Sequence, residues 1–299
     1  MTAADHPPPV VEPEIDELLA RCTFPARGSE VIAAVSGGAD SLALLVLAVR
    51  AQLVVTAVHV DHGLRPDSAA EADVVADAAR TLGAGFRSVR VNVDPGPDLE
   101  QRARLARRQA LGPEAMTGHT ADDQAETVLI NLLRGAGVNG LSAMAPGHRH
   151  PILALRRAET VAVCTAAGLA PVRDPSNDDP RFVRNRVRHE LLPLLADIAD
   201  RDPVPLLART ADRAREVRTD LAALAASVDP TDTRAAADHP PSVHREALRA
   251  WLVDDRGHPP SAAELDRVLA VVRHEVVACE LPGGRRVSRR DGTLRIDSS

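Results

Sequence analysis

Short apolar runs alternate with helical patterns through the first half of the chain, and this alternation limits the possible folds most strongly. Residues 31–35 and 53–60 are apolar runs of strand length, and residues 41–51 between them have the pattern of a helix. Continuous apolar strands separated by helices are typical of a parallel sheet covered on both faces. We therefore predict an α/β fold with a doubly wound parallel sheet. The further elements predicted are strands at 86–91, 115–117 and 152–155, and helices at 15–22, 68–82, 99–111, 122–133, 158–167 and 181–195.

The alternation stops near residue 200. Residues 203–228 carry Leu and Ala at helical spacing, and residues 229–241 are rich in Pro, Asp and Thr, as in a linker or long loop. Two helices and a hairpin follow, with Asp291-Gly292 as the turn. The predicted organisation is a leader with a short helix (1–28), a catalytic α/β domain (29–200), and a smaller, mainly helical substrate-binding domain that ends in a β-hairpin (201–299).

A glycine-containing loop joins the first predicted strand to its helix. Gly37 and Gly38 allow close approach of the backbone to a ligand, and the amides at a helix N-terminus attract anions. Hydroxyl groups of Ser36 and Ser41 add donors, and Asp40 is a candidate ligand for the Mg²⁺ that accompanies pyrophosphate. The alternative is a plain turn with Ser or Asp as the helix cap. The predicted phosphate-binding residues are Ser36, Gly37, Gly38, Ala39, Asp40 and Ser41.

Two absences from the composition exclude classes of function. All 36 basic residues other than histidine are arginines, and there is no tyrosine. A Walker A loop and a Schiff-base enzyme both need lysine, so both are excluded. The three cysteines form no close pair, and the polar, proline-rich start has no signal-peptide pattern, which predicts a cytoplasmic, reduced protein.

The loop sequence Ser36-Gly37-Gly38-Ala39-Asp40-Ser41 resembles the SGGxDS signature of PP-loop ATP pyrophosphatases, which cleave ATP between its α- and β-phosphates. Further segments in the expected order resemble one family within that class, the tRNA(Ile)-lysidine synthetases. The resemblance covers about residues 30 to 195, and its segments are 59–65, 118–127, 132–137, 174–177 and 184–188.

The resemblance implies a reaction and its substrates. Members of that family use ATP to adenylate O2 of the wobble cytidine in tRNA(Ile) with a CAU anticodon, and lysine then displaces AMP from C2. The codon read changes from AUG to AUA. The implied cofactors are ATP and Mg²⁺, and the implied partners are tRNA(Ile) and free L-lysine. We expect no interaction with a membrane. The oligomeric state stays open, a homodimer being one option.

Two carboxylates with helical spacing are the candidate lysine site. Asp123 and Glu126 are three residues apart, so a helix places them on one face. A cationic amine needs carboxylates that the protein's own bases do not fully neutralise. By resemblance, Asp123 and Glu126 bind lysine or adjust its protonation, and His119 lies near the nucleotide. The alternative is an acidic first turn favoured by the helix dipole, with His119 as a loop residue.

Residues at the end of the second strand and on an arginine-rich helix complete the predicted nucleotide site. His59 and Asp61 lie where open α/β sheets bind ligands, and by resemblance they line the adenosine pocket. A zinc site there would lack a third ligand. By resemblance, Arg104, with Arg107, lies near the ATP phosphates or the substrate, and Arg104 joins Asp40, Asp123 and Glu126 as catalytic. The sequence departs from the family at Arg108, where an aromatic residue is usual.

Local clusters of arginine are the candidate tRNA contacts, because a formal net charge of −6 argues against indiscriminate nucleic-acid binding. Aromatic residues make up 1% of the chain, so base stacking on aromatic rings is not widespread. Residues 285–295 form a second basic run. The alternative for both arginine clusters is a run of charged side chains that is only solvated and binds nothing. The predicted tRNA-binding residues are Arg134, Arg184, Arg186 and Arg188.

Three other functions remain open at this point. A tRNA thiolase of the same class normally needs paired cysteines for sulfur or an iron–sulfur cluster. A PP-loop ligase acting on small molecules would not require the arginines at 184–188. A nucleotide-binding module without catalysis would not need both Asp123 and Glu126.

Overall fold

The computed structural model describes residues 15–61, 68–91, 102, 106–107, 109–172, 178–234, 238–255 and 257–298. The chain divides into two compact units, Met1–Asp212 and Arg213–Ser299. The domain boundaries predicted from the sequence, after residue 28 and after residue 200, stay predictions.

The first unit is built on a parallel sheet. Its strands are β1 (Glu30–Ala34), β2 (Val54–Asp61), β3 (Gly85–Arg90) and β4 (Met116–Thr117), in the order β3-β2-β1-β4. All pairings are parallel, and Ala34 of β1 lies opposite Val58 of β2 and Thr117 of β4. The strand order therefore reverses between β1 and β4, and the carboxyl ends of both strands meet at that point. This is where open α/β sheets bind their ligands. The predicted parallel α/β fold is confirmed.

The helix after β1 is buried on all sides. Every residue of α2 from Ser41 to Ala48 is buried, and the core around it includes Val75, Val163 and Cys164 from two other helices. A helix covered by the sheet and by other helices needs an apolar surface all round, which explains its uniformly apolar sequence. The described residues of this unit include the helices α1 (Ile15–Ala20), α2 (Ala39–Arg50), α3 (Ser68–Leu82), α4 (Ala121–Leu133), α5 (Val138–Leu141), α6 (Arg157–Ala166), α7 (Val183–Arg186) and α8 (Leu192–Ala199).

The strand predicted at residues 152–155 is wrong. The segment forms consecutive turns, with the amide of Leu155 donating to the carbonyl of Ile152 at 3.0 Å. Both side chains are fully buried, so the apolar run reflects burial rather than pairing in the sheet. Four apolar residues cannot distinguish these two cases by periodicity. The carbonyl of Leu155 instead accepts the amide of Ala121 at 2.8 Å, which fixes the start of α4.

The helix predicted at residues 181–195 contains a π-helical segment. Val187–Leu191 forms this wider turn between α7 and α8. Pro193 follows it near the start of α8 and has no amide hydrogen to donate one turn back, so a regular α-helical ladder is interrupted there. Segments of π-helix inside α-helices occur frequently at functional sites.

The second unit contains helices and a small antiparallel sheet. Buried residues of this unit include Leu248, Leu252 and Val287. Asp291 (φ 54°) and Gly292 (φ 81°) form the turn of the predicted hairpin, which a third strand joins. Across the described ranges, none of the helices combines the length and the apolar character that crossing a membrane requires. The elements are α9 (Val204–Ala225), which contains the boundary between the units, α10 (Pro241–Trp251), α11 (Ala262–Val272), β5 (Ala278–Leu281), β6 (Arg285–Arg290) and β7 (Thr293–Ser298).

Candidate active site

The loop between β1 and α2 has the geometry of an anion cradle. Gly37 has a φ of +89°, in the left-handed region that favours glycine, and Gly38 precedes the first residue of the 12-residue helix α2. The hydroxyl of Ser41 donates to the carbonyl of Gly38 at 2.8 Å and accepts the amide of Ser36 at 3.1 Å. These bonds hold the predicted residues 36–41 together at the N-terminus of α2, where backbone amides favour a bound anion.

Gly118, directly after β4, approaches the start of α2 closely. A Cβ atom at Gly118 would lie 2.6 Å from the carbonyl oxygen of Asp40 and 3.0 Å from the amide nitrogen of Ser41. Only glycine therefore lets the chain pass here without a shift of the backbone. The close approach brings His119 and Thr120 beside the phosphate loop.

Two residues of the first turn of α6 hold the Asp40 carboxylate. The hydroxyl of Thr160 donates to Oδ1 of Asp40 at 2.5 Å, and Nε of Arg157 lies 3.4 Å from Oδ2. Burial raises the pKa of Asp40, although the bond from Thr160 and the charge of Arg157 act to lower it. Neither Thr160 nor Arg157 was among the site residues predicted from the sequence. Their only signal in the sequence is their position at the start of a helix.

Asp123 and Glu126 lie together on α4, as predicted. Oδ2 of Asp123 accepts the amide of Thr120 at 2.9 Å and its hydroxyl at 3.0 Å, which caps the start of the helix. Asp123 is 8% exposed and Glu126 is fully buried. Two adjacent carboxylates with so little contact with water require compensating positive charge.

Three arginines supply that charge. Arg157 lies 3.2 Å from Oδ1 of Asp123 and 3.3 Å from Oε1 of Glu126. Nε of Arg184 lies 2.7 Å from Oε2 of Glu126, and Nε of Arg188 lies 2.7 Å from Oε1. Burial alone would raise the pKa of Asp123, but the charges of Arg157 and Arg184 outweigh it and lower that pKa. The expectation that the protein's own bases leave these carboxylates partly free is therefore not met in this structure.

The four predicted tRNA-binding arginines occupy two kinds of position. Arg184 and Arg188 join the carboxylate cluster, whereas Arg186 pairs with the exposed Glu190 at 2.9 Å. Arg134 is exposed at the C-terminal end of α4. Arg134 follows Glu126 by eight positions, which correspond to about 12 Å of helix, so Arg134 lies away from the cluster.

Two histidines and a threonine form a hydrogen-bonded group at the end of β4. Nδ1 of His119 lies 2.8 Å from the hydroxyl of Thr117, and Nδ1 of His150 lies 2.9 Å from the same oxygen. The two imidazole rings meet edge to face. Burial lowers the pKa of His119 to about 4, so this imidazole is neutral near pH 7. The exposed Arg107 also contributes to lowering that pKa.

The end of β2 supports the phosphate loop from inside the sheet. His59 is 2% exposed, and its Nδ1 lies 3.1 Å from the carbonyl oxygen of Val35, the residue before the loop. Asp61 is the last residue of β2 and is partly exposed. Within the described ranges, no three His, Cys, Asp or Glu side chains are grouped as a metal site requires. The predicted residues Arg104 and Arg108, and the segment 174–177, lie outside the described residues.

The cysteines do not form a reactive group. Burial raises the pKa of Cys22 to about 12 and that of Cys164 to about 11, so both are thiols rather than thiolates near neutral pH. Burial also raises the pKa of the Cys279 thiol. Sulfur transfer depends on a reactive thiolate or a cluster, so these three residues do not favour that chemistry.

Comparisons with known proteins show the family and the fold. The sequence pattern of a family described as a PP-loop domain matches residues 9–195. A tRNA(Ile)-lysidine synthase from Nocardia farcinica is 41% identical over 265 residues, which cover 83% of this chain and 83% of the relative. A protein of the same name from Leifsonia xyli is 38% identical and covers 96% of this chain and 95% of its own. The solved structure of a U34-tRNA thiolase from Methanococcus maripaludis superposes with a TM-score of 0.52 at 17% identity, covering 68% of this chain and 79% of its own, which shows a shared fold.

Proposed function

This chain belongs to the tRNA(Ile)-lysidine synthase family, and from that premise we propose that it joins lysine to C2 of the wobble cytidine of tRNA(Ile) with a CAU anticodon. In the first step, O2 of the cytidine attacks the α-phosphate of ATP and pyrophosphate leaves. In the second step, the lysine side-chain nitrogen bonds to C2 while the bond between C2 and O2 breaks, and AMP leaves with that oxygen. The product is lysidine, which pairs with AUA instead of AUG.

The loop after β1 is the proposed ATP site. Its amides and the hydroxyl groups of Ser36 and Ser41 are donors for the phosphates, and His59, Asp61 and His119 lie around the nucleotide. Arg104 is the further proposed phosphate contact. The Asp40 carboxylate suits Mg²⁺, because this ion is commonly held by one carboxylate together with the phosphate oxygens of the substrate. When bound, Mg²⁺ neutralises part of the charge of the phosphates.

Asp123 and Glu126 are the proposed amine site. The ammonium of lysine is a compact cation that would replace a guanidinium on these carboxylates, because their oxygens already accept bonds from Arg157, Arg184 and Arg188. Such a replacement keeps the buried charges balanced. The amine must lose a proton before it attacks C2. A carboxylate pair that is shielded from water controls this proton transfer more closely than water does.

Positive side chains on the first unit are the proposed tRNA contacts. Arg134 and Arg186 are exposed, while Arg184 and Arg188 would exchange Glu126 for phosphate groups of the tRNA. An arginine that binds a phosphate anion can leave a carboxylate without leaving its own charge unpaired. We further propose that the domain at residues 201–299 binds the acceptor end or the body of the tRNA.

One observation carries the proposal furthest. The guanidinium of Arg157 pairs with the buried carboxylates of Asp123 and Glu126. The same guanidinium pairs with Asp40 of the phosphate loop. These contacts support the proposal of a phosphate site and an amine site that are adjacent at the carboxyl edge of the sheet. A nucleotide-binding module without catalysis has no need for the amine site.

The test is transfer of radiolabelled lysine to an unmodified tRNA(Ile) transcript with a CAU anticodon, in the presence of ATP and Mg²⁺. We expect label in the tRNA that depends on ATP and on the wobble cytidine. A transcript with uridine at the wobble position is the matched control. Cleavage of ATP to AMP and pyrophosphate without transfer of lysine would reject the substrate and retain the class of enzyme.

A further inference from the structure

One arginine contacts carboxylates of both the proposed phosphate site and the proposed amine site. Arg157 is the first residue of α6, and its guanidinium lies 3.4 Å from Asp40, 3.2 Å from Asp123 and 3.3 Å from Glu126. Asp40 belongs to α2 and the other two carboxylates belong to α4. Arg157 is thus the link between the phosphate loop and the amine site.

The charge of Arg157 is committed to these three partners. Burial alone would lower the pKa of Arg157, but Asp123, Glu126 and Asp40 outweigh it and raise that pKa. Its side chain is 27% exposed, compared with 40% for Arg184. Thr160, on the same turn of α6, is fully buried and holds the other oxygen of Asp40. The first turn of α6 therefore fixes the orientation of Asp40 with two donors.

The three carboxylates would repel one another without this guanidinium. Like charges that share a partly buried site move apart unless a cation lies between them. If Arg184 and Arg188 turn to tRNA phosphates during the reaction, Arg157 is the cation that remains between the two carboxylate groups.

We propose that Arg157 is a positioning residue for the reaction: it holds the carboxylates of Asp40, Asp123 and Glu126 in place and so keeps the phosphate site and the amine site at a fixed separation. This inference rests on the proposed function. Arg157 acts through the carboxylates, so its loss changes the affinity for lysine as well as the rate.

The neighbouring residue Arg156 provides a matched control. It also lies at the start of α6, but it pairs with Asp122 at 3.1 Å and with Asp202, outside the phosphate and amine sites. Arg156→Gln therefore removes a comparable ion-pair network of the same unit. A purely structural effect of losing an arginine here should appear in both variants.

The experiment compares lysine transfer by the full chain and by the variants Arg157→Gln, Arg157→Lys and Arg156→Gln, with kcat and the KM for lysine measured separately, together with their melting temperatures. For Arg157→Gln we expect kcat to fall and the KM for lysine to rise, each by about tenfold. Arg157→Lys should restore part of kcat, because it keeps the charge. It should retain the raised KM, because an ammonium cannot span three carboxylates as a planar guanidinium does.

The outcomes separate the inference from the function on which it rests. A kcat and a KM for lysine that match those of the wild type in both Arg157 variants would overturn the inference, even if the melting temperature fell. If Arg157→Gln does not fold, the KM for lysine in Arg157→Lys decides the question: a raised KM supports the inference, and a wild-type KM overturns it. A wild-type chain that transfers no lysine at any pH would overturn the proposed function, and the inference with it.

Discussion

Nε of Arg188 lies 2.7 Å from Oε1 of Glu126, a carboxylate with no exposed surface. Nε of Arg184 lies at the same distance from the other oxygen of that carboxylate. With Arg157, three guanidiniums balance Asp40, Asp123 and Glu126. A cationic substrate can enter this cluster only by replacing a guanidinium, and that balance determines how substitutions here should behave.

Replacing Glu126 should affect both stability and lysine transfer. Glu126→Gln leaves Arg184 and Arg188 facing a neutral amide, so we expect a loss of roughly 3 kcal/mol in unfolding free energy. This value is at the lower end of the range for a broken buried ion pair, because both arginines reach solvent. Lysine transfer should be lost. Urea unfolding and the transfer assay measure the two effects. Glu190→Gln breaks only the exposed pair with Arg186 and should leave stability almost unchanged.

Removing one competing guanidinium should favour lysine in the absence of tRNA. In Arg184→Gln, Oε2 of Glu126 loses its shortest donor, so we expect tighter lysine binding by the protein alone, measured by equilibrium dialysis. The same variant should bind tRNA more weakly, with a slope of log affinity against log salt smaller by about one. Arg181→Gln is the control, because Arg181 pairs with Asp179 instead. Lysine affinity that is equal in all three proteins would contradict the exchange of partners.

The His119 imidazole should make stability depend on pH. Burial lowers its pKa in the folded chain to about 4 from an ordinary value of 6.5. Between these values the unfolded chain binds a proton that the folded chain does not, so stability falls as the pH drops through this window. Denaturant unfolding between these pH values should show a shallower dependence for His119→Gln than for the wild type. Equal slopes would show that folding does not lower the pKa of His119.

The close approach at Gly118 should be essential for the phosphate loop. Gly118→Ala places a Cβ atom 2.6 Å from the carbonyl oxygen of Asp40, so the loop or the end of β4 must move. We expect a loss of about 1–3 kcal/mol in stability, as for other overpacked sites, and a raised KM for ATP in the pyrophosphate-release assay. Gly137→Ala is the control, because a Cβ atom at Gly137 would meet no other atom within 4 Å. An unchanged KM for ATP in Gly118→Ala would argue against a role of this approach in nucleotide binding.

The sheet and the phosphate loop were predictable because their signals are local. Strand β1, the glycine pair and helix α2 follow one another directly, and the spacing of Asp123 and Glu126 places both on one face of α4. The turns at residues 152–155 were mistaken for a strand because buried apolar residues look alike in either conformation.

The partners of the carboxylates were not predictable in the same way. Arg157 and Thr160 reach Asp40 across 117 and 120 residues, and no periodicity connects positions that distant. Arg184 and Arg188 were recognised as a basic run, for which phosphate binding and solvation were the evident roles. Their contact with Glu126 depends on the packing of α4 against the π-helical segment Val187–Leu191, which the sequence pattern did not indicate.

The most direct test of the account uses ATP labelled at its α-phosphate, with tRNA(Ile) transcript and without lysine. The account predicts that labelled AMP becomes attached to the tRNA, and that added lysine releases it as free AMP while lysidine forms. Label that never associates with the tRNA, in a protein that nevertheless cleaves ATP to AMP, would contradict an adenylated tRNA intermediate.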